Sequence, residues 1–375
     1  EEVPRDQTLA LDNVTISNNG DDGLHIRSIS STLTLQNVTI THNSGAGFLM
    51  HPDNDSPVFT NTTVSGNSLD GIALLSGWIE NERRWDVVQP NIPFIARDAS
   101  PGIRNDGMLT LAPGVTLRLG RVAAAYTPRI DVQGNGRLVA VGTPEQPIRF
   151  VGLDNTPGRW GNITLANTST ITLAHCEIAY GGRDQDFGGM IPLLDIKTTG
   201  AVSLEDCTFR DSWGQGIYAG VAGEHVIRNS RIGSSVSAAN TLDPPLDARY
   251  NWWGHSSGPK HTTLNPGGQG VSVSGNILFT PWLTESPIPP SGVQVDILGP
   301  RQMASGQTTL WALDYAHHLT ETVQNAVLIA TLPGLATLQG SSDGGIFWPE
   351  RHQVFWKLGD LEPETSGRVW VRVQF

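Results

Sequence analysis

The chain has 375 residues with 42 Gly, 24 Pro, only two Cys and a formal net charge of −12 at pH 7. Frequent Gly and Pro favour short strands joined by turns, and two cysteines exclude a disulfide scaffold. The negative charge disfavours nucleic acid and anionic membranes as partners. Because the sequence begins without Met or a signal peptide, we expect a processed protein or a piece of a longer one.

A 24-residue repeat opens the chain. The stretch "LDNVTISNNGDDG" at 11–23 returns as "LQNVTITHNSGAG" at 35–47 and as "FTNTTVSGNSLDG" at 59–71. Three columns of equivalent residues keep this period: Asn13, Asn37 and Asn61; Asn19, Asn43 and Asn67; and Gly23, Gly47 and Gly71. A constant period with constant Asn and Gly positions predicts stacked structural units.

Apolar and polar residues alternate within each unit, as at Leu9, Leu11, Val14 and Ile16, and this alternation predicts short strands. Stacked copies would pair each strand with its equivalent about 4.8 Å further along the axis. We expect the Asn columns at the bends, where Asn tolerates left-handed backbone and can pass amide hydrogen bonds between coils. Ordinary hairpin turns are the alternative, although hairpins need no constant period.

A second pattern follows in "GMLTLAPGVTLRLG" (107–120), "GRLVAVGTPEQPIRFVG" (136–152) and "GRWGNITL" (158–165). Three further segments, at 171–182, 202–217 and 225–233, align as coils. They give two more columns of equivalent residues: His175, Asp206 and Asn229, then Cys176, Cys207 and Ser230. With the 24-residue units, these segments resemble the right-handed parallel β-helix proteins, the fold of the pectate lyases and of many bacterial surface proteins. The resemblance covers roughly residues 9–283 and implies the fold much more strongly than an activity.

The domain organisation follows from these patterns. We expect coils with the 24-residue repeat at 1–77, a loop or seam at 78–100, and a second β-helix block at 101–283. The Pro-rich segment 284–292 is typical of a short stiff linker. The alternating strands of 293–375, with the ending "LGDLEPETSGRVWVRV", resemble the Ig-like repeat of bacterial surface proteins. The sequence therefore predicts an all-β chain, a right-handed parallel β-helix followed by an Ig-like β-sandwich.

Acidic residues near the glycine column are weak candidates for catalysis. Asp21 and Asp22 precede Gly23, and Asp70 is equivalent to Asp22 two coils later, about 9.6 Å away. That separation is near the upper end of the 6.5–9.5 Å, approximately, used in inverting glycoside hydrolysis. However, Ala46 lies between them, and Asp before Gly is common in solvated turns. We therefore assign no catalytic residue.

A calcium site is a weaker possibility in the loop "GGRDQDFGG" at 181–189. Asp184 and Asp186 would supply ligands there, with Arg183 as a basic residue for lyase chemistry. Calcium takes about six or more oxygen ligands, and a short glycine-flanked loop supplies at most half of them. A surface loop without metal is the alternative, and we expect no other cofactor.

Cysteine and tryptophan residues favour packing roles. Cys176 and Cys207 occupy one inward column on adjacent coils, as a buried pair or as a disulfide. Trp252 and Trp253 in "NWWG" match the closing segment of the β-helix family and are expected to pack at a bend or at the solenoid end. Three tryptophans in loop-like contexts could instead form a platform for sugar rings: Trp78, Trp85 and Trp213.

The leading functional interpretation is a non-catalytic structural or adhesive protein at a bacterial cell surface. Self-assembly, other surface proteins and polysaccharides are its expected partners, and we expect no nucleic acid and no membrane span. The alternative is a carbohydrate-active lyase or glycoside hydrolase, or a carbohydrate-binding solenoid. An enzyme should show clustered carboxylates and aromatic residues on one face across several consecutive coils.

Overall fold

The computed structural model describes residues 9–27, 33–87, 92–122, 127–184, 188–287, 293–298, 305–317, 322–342, 344–349, 352–362 and 365–375. Within these residues the regular structure consists of β-strands, and no α-helix occurs. Contacts divide the chain into two compact units, Glu1–Ile288 and Pro289–Phe375. The division falls inside the proposed linker 284–292, of which residues 288–292 lie outside the described part. The boundaries drawn from the sequence therefore stay a prediction.

Three coils with a constant 24-residue offset begin the first unit. Their strands form two short parallel sheets, which we name A and B. Sheet A contains β1 (Leu9–Asp12), β4 (Leu33–Gln36) and β7 (Val58–Thr60), and sheet B contains β2 (Thr15–Ser17), β5 (Thr39–Thr41) and β8 (Thr63–Ser65). Leu11 pairs with Leu35, and Leu35 pairs with Phe59, so equivalent residues of the repeat lie directly over one another.

Sheet C runs through nine coils of this unit. Its strands are β3 (Leu24–Ile26), β6 (Ala46–Met50), β9 (Leu69–Leu74), β12 (Phe94–Arg97), β15 (Thr116–Gly120), β18 (Ile148–Gly152), β21 (Cys176–Ala179), β26 (Thr208–Arg210) and β29 (Arg231–Ile232). All neighbouring pairs in this sheet are parallel.

Sheets D and E begin with the fourth coil and complete the solenoid. Sheet D contains β10 (Gly77–Ile79), β13 (Pro101–Ile103), β16 (Ile130–Val132), β19 (Ile163–Asn167), β24 (Leu194–Thr198), β27 (Ile217–Ala219), β30 (Val236–Ala238), β33 (Gly270–Ser274) and β32 (Pro259–Lys260). Sheet E contains β11 (Glu82–Trp85), β14 (Met108–Leu111), β17 (Arg137–Val141), β20 (Thr170–Ala174), β25 (Val202–Glu205), β28 (His225–Arg228), β31 (Leu246–Asp247) and β34 (Ile277–Leu278).

The described residues of 78–100 are 78–87 and 92–100, and most of them lie in or beside strands. They include strands of all three long sheets, β10, β11 and β12, and each pairs with the following coil. Sheets A and B end just before this stretch, whereas sheet C passes through it by the pairing of β9 with β12. Sheets D and E thus begin where sheets A and B end, and the fully buried Trp85 stacks on Phe94 there.

One hydrophobic core fills the solenoid, because alternate side chains of every strand point inward. Ile163, Leu194 and Ile217 form one such column on successive coils, and each is completely buried. No described helix is long and apolar enough to cross a membrane.

The second unit contains two antiparallel sheets. The first contains β35 (Val293–Leu298), β36 (Thr308–His317), β41 (Ser366–Gln374) and β38 (Thr337–Ser341), and the second contains β37 (Val323–Thr331), β40 (Gln353–Leu361) and β39 (Ile346–Trp348). Leu313 and Val371 from one sheet share a core with Val354 and Trp356 from the other, as in a sandwich. The predicted all-β class, with a parallel solenoid before antiparallel sheets in the chain, is confirmed.

The first three coils contain two columns of asparagine at their bends. Asn13, Asn37 and Asn61 have φ angles of 55°, 52° and 47°, in the left-handed region that Asn tolerates. The Asn61 amide donates to Asn37 Oδ1 at 2.7 Å, and the Asn37 amide donates to Asp12 Oδ1 at 3.3 Å. This first column is exposed, so water competes for its hydrogen bonds.

The second column is an amide ladder closed by a carboxylate. Asn19 Nδ2 donates to Asn43 Oδ1 at 2.8 Å, and Asn43 Nδ2 donates to Asn67 Oδ1 at 2.8 Å. Asn67 Nδ2 then donates to Asp70 Oδ1 at 2.9 Å. Asn43 is 3% exposed, and Asn43 Nδ2 also lies 3.3 Å from the Ile16 carbonyl, so the buried amide is fully engaged.

The glycine column makes room for this ladder. A Cβ on Gly47 would lie 2.5 Å from Val64 Cγ1 and 2.8 Å from Asn67 Nδ2, and a Cβ on Gly23 would lie 2.8 Å from Asn43 Nδ2. Gly71 is equally crowded by Ile95 and the Pro93 carbonyl. Glycine at these positions therefore allows the backbone of one coil to approach the core and the amides of the next.

We predict that Asn43→Ala destabilises the first three coils by about 1–3 kcal/mol, because it removes a buried side-chain amide from the ladder. The backbone and side-chain amides of Asn19 lose their acceptor, and the Ile16 carbonyl loses a donor. Hydrogen exchange of peptides within 33–50 measures the loss. Asn135→Ala is the control, since Asn135 is exposed and binds mainly to surface groups. Equal protection in both variants would contradict a stabilising ladder.

We also predict that the β28 coil loses stability as the pH falls from about 7.5 to 5.5. His225 is 2% exposed, its Nε2 lies 2.9 Å from the Val221 carbonyl, and burial lowers its pKa. The unfolded chain, with a pKa of about 6.5, then binds the proton more readily, so acid favours unfolding. His225→Phe should flatten the pH dependence of hydrogen exchange in peptides 202–232, whereas exposed His25→Gln should retain it.

Candidate functional site

The acids near the glycine column serve as hydrogen-bond acceptors in turns. Asp22 Oδ1 accepts from the Ala46 amide at 2.8 Å, and the Asp21 carbonyl accepts from the Gly45 amide at 3.0 Å. The Asp70 carboxylate accepts from the backbone amides of Gly66 and Asn67, both at 2.8 Å. These contacts give structural roles to the carboxylates of Asp22, which links two coils, and of Asp70, which ends the amide ladder.

The structure does not bring these acids near the loop at 181–189. Asp21 and Asp22 precede β3, whereas Arg183 and Asp184 follow β21, six strands further along sheet C. Six steps of about 4.8 Å separate the two places by ~29 Å along the axis. The two groups of sequence candidates therefore belong to different regions of the solenoid.

The proposed calcium loop forms a small antiparallel hairpin. Its strands are β22 (Arg183–Asp184) and β23 (Gly189–Met190), and Asp186 lies between them outside the described residues. Among the described residues, no group of three His, Cys, Asp or Glu side chains could hold a metal ion. What the hairpin does show is an aromatic contact, with the Arg183 guanidinium 4.7 Å from the Trp213 ring centre.

A column of polar and aromatic side chains lies on the outer face of sheet D. Parallel register aligns one residue from each of eight consecutive strands: Trp78, Gly102, Asp131, Thr164, Asp195, Tyr218, Ser237 and Ser274. The residues flanking the central members point into the core, as Leu194 and Ile196 do on either side of Asp195. We call this set the sheet D column.

Asp195 is the most constrained member of the column. It is 6% exposed, and its Oδ2 forms an ion pair with Lys197 Nζ at 2.7 Å. Its Oδ1 is buried and has no hydrogen-bond partner among the described residues. Burial of a carboxylate oxygen without a donor costs about 1–3 kcal/mol, so this oxygen is an acceptor suited to a ligand.

Asp131 is the second carboxylate of the column, two coils from Asp195 and therefore about 9.6 Å away between backbones. Burial raises the pKa of Asp131, and the Arg129 guanidinium, at 3.4 Å from its Oδ2, opposes this by lowering it. Thr164 lies between the two acids and donates its hydroxyl to Asn162 Oδ1 at 3.1 Å. The column thus combines two carboxylates with a hydroxyl group between them.

Aromatic rings stand on both sides of the two acids. The Trp78 ring occupies the space over Gly102, where a Cβ would lie 2.6 Å from it, and Arg104 stacks on it at 5.0 Å. Tyr218 follows Asp195 directly, and its ring lies against Gly220. Of the tryptophans suggested for sugar binding, Trp78 is half-buried in the column, Trp213 is 48% exposed on a loop, and Trp85 is completely buried.

Sequence reasoning missed the two acids of this column. The positions Asp131, Thr164, Asp195 and Tyr218 are separated by 33, 31 and 23 residues, so no constant period marks them. The available signal was the short alternation in "IDV", "ITL", "LDI" and "IYA", in which a polar residue lies between two inward apolar ones. Aligning these strands would have placed Asp131 and Asp195 on one face.

The remaining candidates have packing roles. Cys176 and Cys207 are buried free thiols on adjacent coils, and burial followed by a hydrogen bond with Cys207 raises the pKa of Cys176. Trp253 is completely buried in the core. Trp252 is half-buried, and its backbone forms an isolated parallel β-bridge with Arg231. Nearby Asn251 accepts a hydrogen bond from the Ser230 amide at 2.9 Å, and Ser230 accepts one from the Cys207 amide at 3.1 Å.

A family model described as right handed beta helix region matches residues 2–81. Together with the stacked parallel sheets, this match supports a right-handed β-helix. Comparisons with the curated proteins and with the solved structures gave no match. The evidence for function therefore comes from the outer faces of the solenoid.

We predict that the pKa of Asp131 is higher than that of an ordinary aspartate because of burial, and that Arg129→Gln raises this pKa further because the nearby positive charge is lost. Carboxyl carbon chemical shifts of Asp-labelled protein, followed by NMR from about pH 3 to 8, measure this. Arg137→Gln on sheet E is the matched control and should leave the titration unchanged. A lower Asp131 pKa in Arg129→Gln would contradict the assigned electrostatics.

Proposed function

We propose that the protein is a non-catalytic extracellular adhesive or scaffolding protein, and that the sheet D column binds a neutral glycan chain along the solenoid axis. The observation that carries the proposal is the buried, unpartnered Oδ1 of Asp195 in a column flanked by Trp78 and Tyr218. A sugar hydroxyl would supply the donor that this oxygen lacks, and aromatic rings can pack against the apolar faces of sugar rings.

The dimensions of the column suit a linear polysaccharide. Successive coils repeat about every 4.8 Å, which is close to the length of one sugar unit in an extended chain. Ion pairs within or beside single strands, Arg129 with Asp131 and Lys197 with Asp195, offset the local charges. A polar ligand without net charge therefore fits this face better than a strongly ionic one.

The surface location is part of the same proposal. Resemblance of the C-terminal strands to an Ig-like surface repeat supports a display or spacer role for the second unit. In this arrangement the β-helix would contact glycans and the sandwich would extend or anchor the assembly outside a bacterial cell. Association with further copies or other surface proteins would increase avidity through several weak contacts.

Glycan-array binding followed by calorimetry with the best neutral oligosaccharide tests the proposal. We predict that Asp195→Asn and Trp78→Ala each weaken binding about tenfold or more, which corresponds to a loss of roughly 1.4 kcal/mol of binding free energy. Glu205→Gln on the outer face of sheet E and Trp348→Ala in the second unit are matched controls. If no glycan binds, or if all four variants bind like the parent, the sheet D column is not a glycan site.

A second candidate function is inverting glycoside hydrolysis by Asp131 and Asp195. The raised pKa of Asp131 would suit a general acid, and the separation of about 9.6 Å is close to that used in inverting enzymes. Asp131 would protonate the leaving oxygen while Asp195 accepts a proton from the attacking water. New reducing ends from a bound glycan, abolished by Asp131→Asn and by Asp195→Asn, would favour this candidate over simple binding.

A further inference from the structure

A long strand lies at the edge of one sheet in the second unit. This strand, β37, pairs only with β40 among the described residues. Its register with β40 shifts at a bulge around Asn325, whose φ is 53°, and then runs regularly from Val327 to Thr331. An edge strand presents unpaired backbone N–H and C=O groups on its outer side. We call the five residues 327–331 the open edge.

The backbone of the open edge is suited to a further β-strand. In antiparallel pairing, alternate residues direct their N–H and C=O groups away from the neighbouring strand, which makes about two or three residues of these five. In the described part of the chain, no backbone group outside the ladder with β40 bonds to residues 327–331. Another strand added at this edge would satisfy the outer row of groups.

The other edge strands of this unit have features that discourage pairing. β39 has only three residues, the register of β38 shifts between Leu338 and Gly340, and β35 contains the acidic residue Asp296. Short length, bulges and charge are the means by which sheets avoid association through their edges. The open edge, with the sequence "VLIAT", is regular in register and uncharged.

Apolar side chains lie on the outer face of the sheet beside the open edge. Val327 is 50% exposed and Ile329 is 55% exposed, whereas Leu328 between them packs against the core of the unit. Ile329 lies opposite Phe355 of β40, and Phe355 lies opposite Ile346 of β39, which is 49% exposed. An apolar row therefore crosses all three strands and ends at the open edge.

We propose that the open edge pairs in antiparallel fashion with the open edge of a second copy of this chain, so that two three-stranded sheets become one sheet of six strands. With the two-fold axis at Leu328, Val327 of each copy lies opposite Ile329 of the other, as an isologous contact requires. The apolar rows of both copies then meet at the new strand pair, which removes apolar surface from water. Although each copy has a net charge of −12, this pairing brings no carboxylate of the open edge to the axis.

The contact closes at two copies, because each copy uses its open edge once and the other edges of the unit are protected. A single pair of five-residue strands is smaller than the interfaces of roughly 1,200–2,000 Å² that hold stable complexes. We therefore expect a weak dimer that depends on concentration. This dimer goes beyond glycan binding by the sheet D column and does not require it.

Sedimentation equilibrium of the full chain, from low to high micromolar concentration, tests the proposal. We expect a monomer–dimer equilibrium, and slower hydrogen exchange of peptides within 323–331 as the dimer forms. The double variant Val327→Lys/Ile329→Lys should weaken dimerisation about tenfold or more, because each new positive charge lies opposite another in the second copy. Both positions are half exposed, so the substitutions leave the core of the unit intact.

A second double variant, Val327→Glu/Ile329→Glu, should dimerise as weakly by itself, but a mixture of the two variants should form a mixed dimer through opposite charges across the strand pair. Val295→Lys/Leu335→Lys is the matched control, since it adds the same two charges at exposed positions outside the open edge. This control should dimerise like the parent, as should Asp195→Asn, and circular dichroism should show all variants folded.

Three results would overturn the proposal: a chain that stays monomeric at every concentration, a control that loses as much affinity as the edge variants, or oppositely charged edge variants that do not associate when mixed. Because these measurements contain no glycan, their outcome is independent of the test of glycan binding.

Discussion

Parallel stacking in register is the constraint on which the structure of the solenoid depends. Each coil rises about 4.8 Å, so every side chain lies over its equivalent in the previous coil. Inside, this places apolar residues in columns and allows asparagine amides to bond one another, as Asn19, Asn43 and Asn67 do. A ladder of identical groups cannot satisfy its own last donor, and Asp70 does so with a carboxylate oxygen.

The same constraint acts on the outside of the solenoid. A residue type that recurs at one strand position becomes a line of equal chemistry parallel to the axis, without any loop needed to assemble it. Thr15, Thr39 and Thr63, for example, are 24 residues apart in the chain but lie at one strand position on the outer face of three adjacent coils. Linear ligands with a repeat near the coil rise match such lines, whereas compact ligands would need a walled pocket.

The sequence predicted the fold well and the outer faces poorly, for one physical reason. Core columns require apolar residues at every coil. In the first coils these residues recur every 24 positions, so they can be recognised directly in the sequence. Later coils have loops of different length, so Asp131 and Asp195 share a face although no period connects them. The 24-residue period did reveal two acids, Asp22 and Asp70. Both accept hydrogen bonds from backbone amides in turns, and these turns recur in each coil.

Charge is balanced differently on the outer faces of sheets C and D. In sheet D each acid is offset by a basic residue two positions away, Arg129 for Asp131 and Lys197 for Asp195, so each coil is locally close to neutral. In sheet C, Glu177 neutralises arginines of the two neighbouring coils, Arg149 and Arg210. Arg118 and Arg231 form no ion pair with an acid among the described residues. Local neutrality with a buried free acceptor suits hydroxyl-rich neutral chains on the face of sheet D.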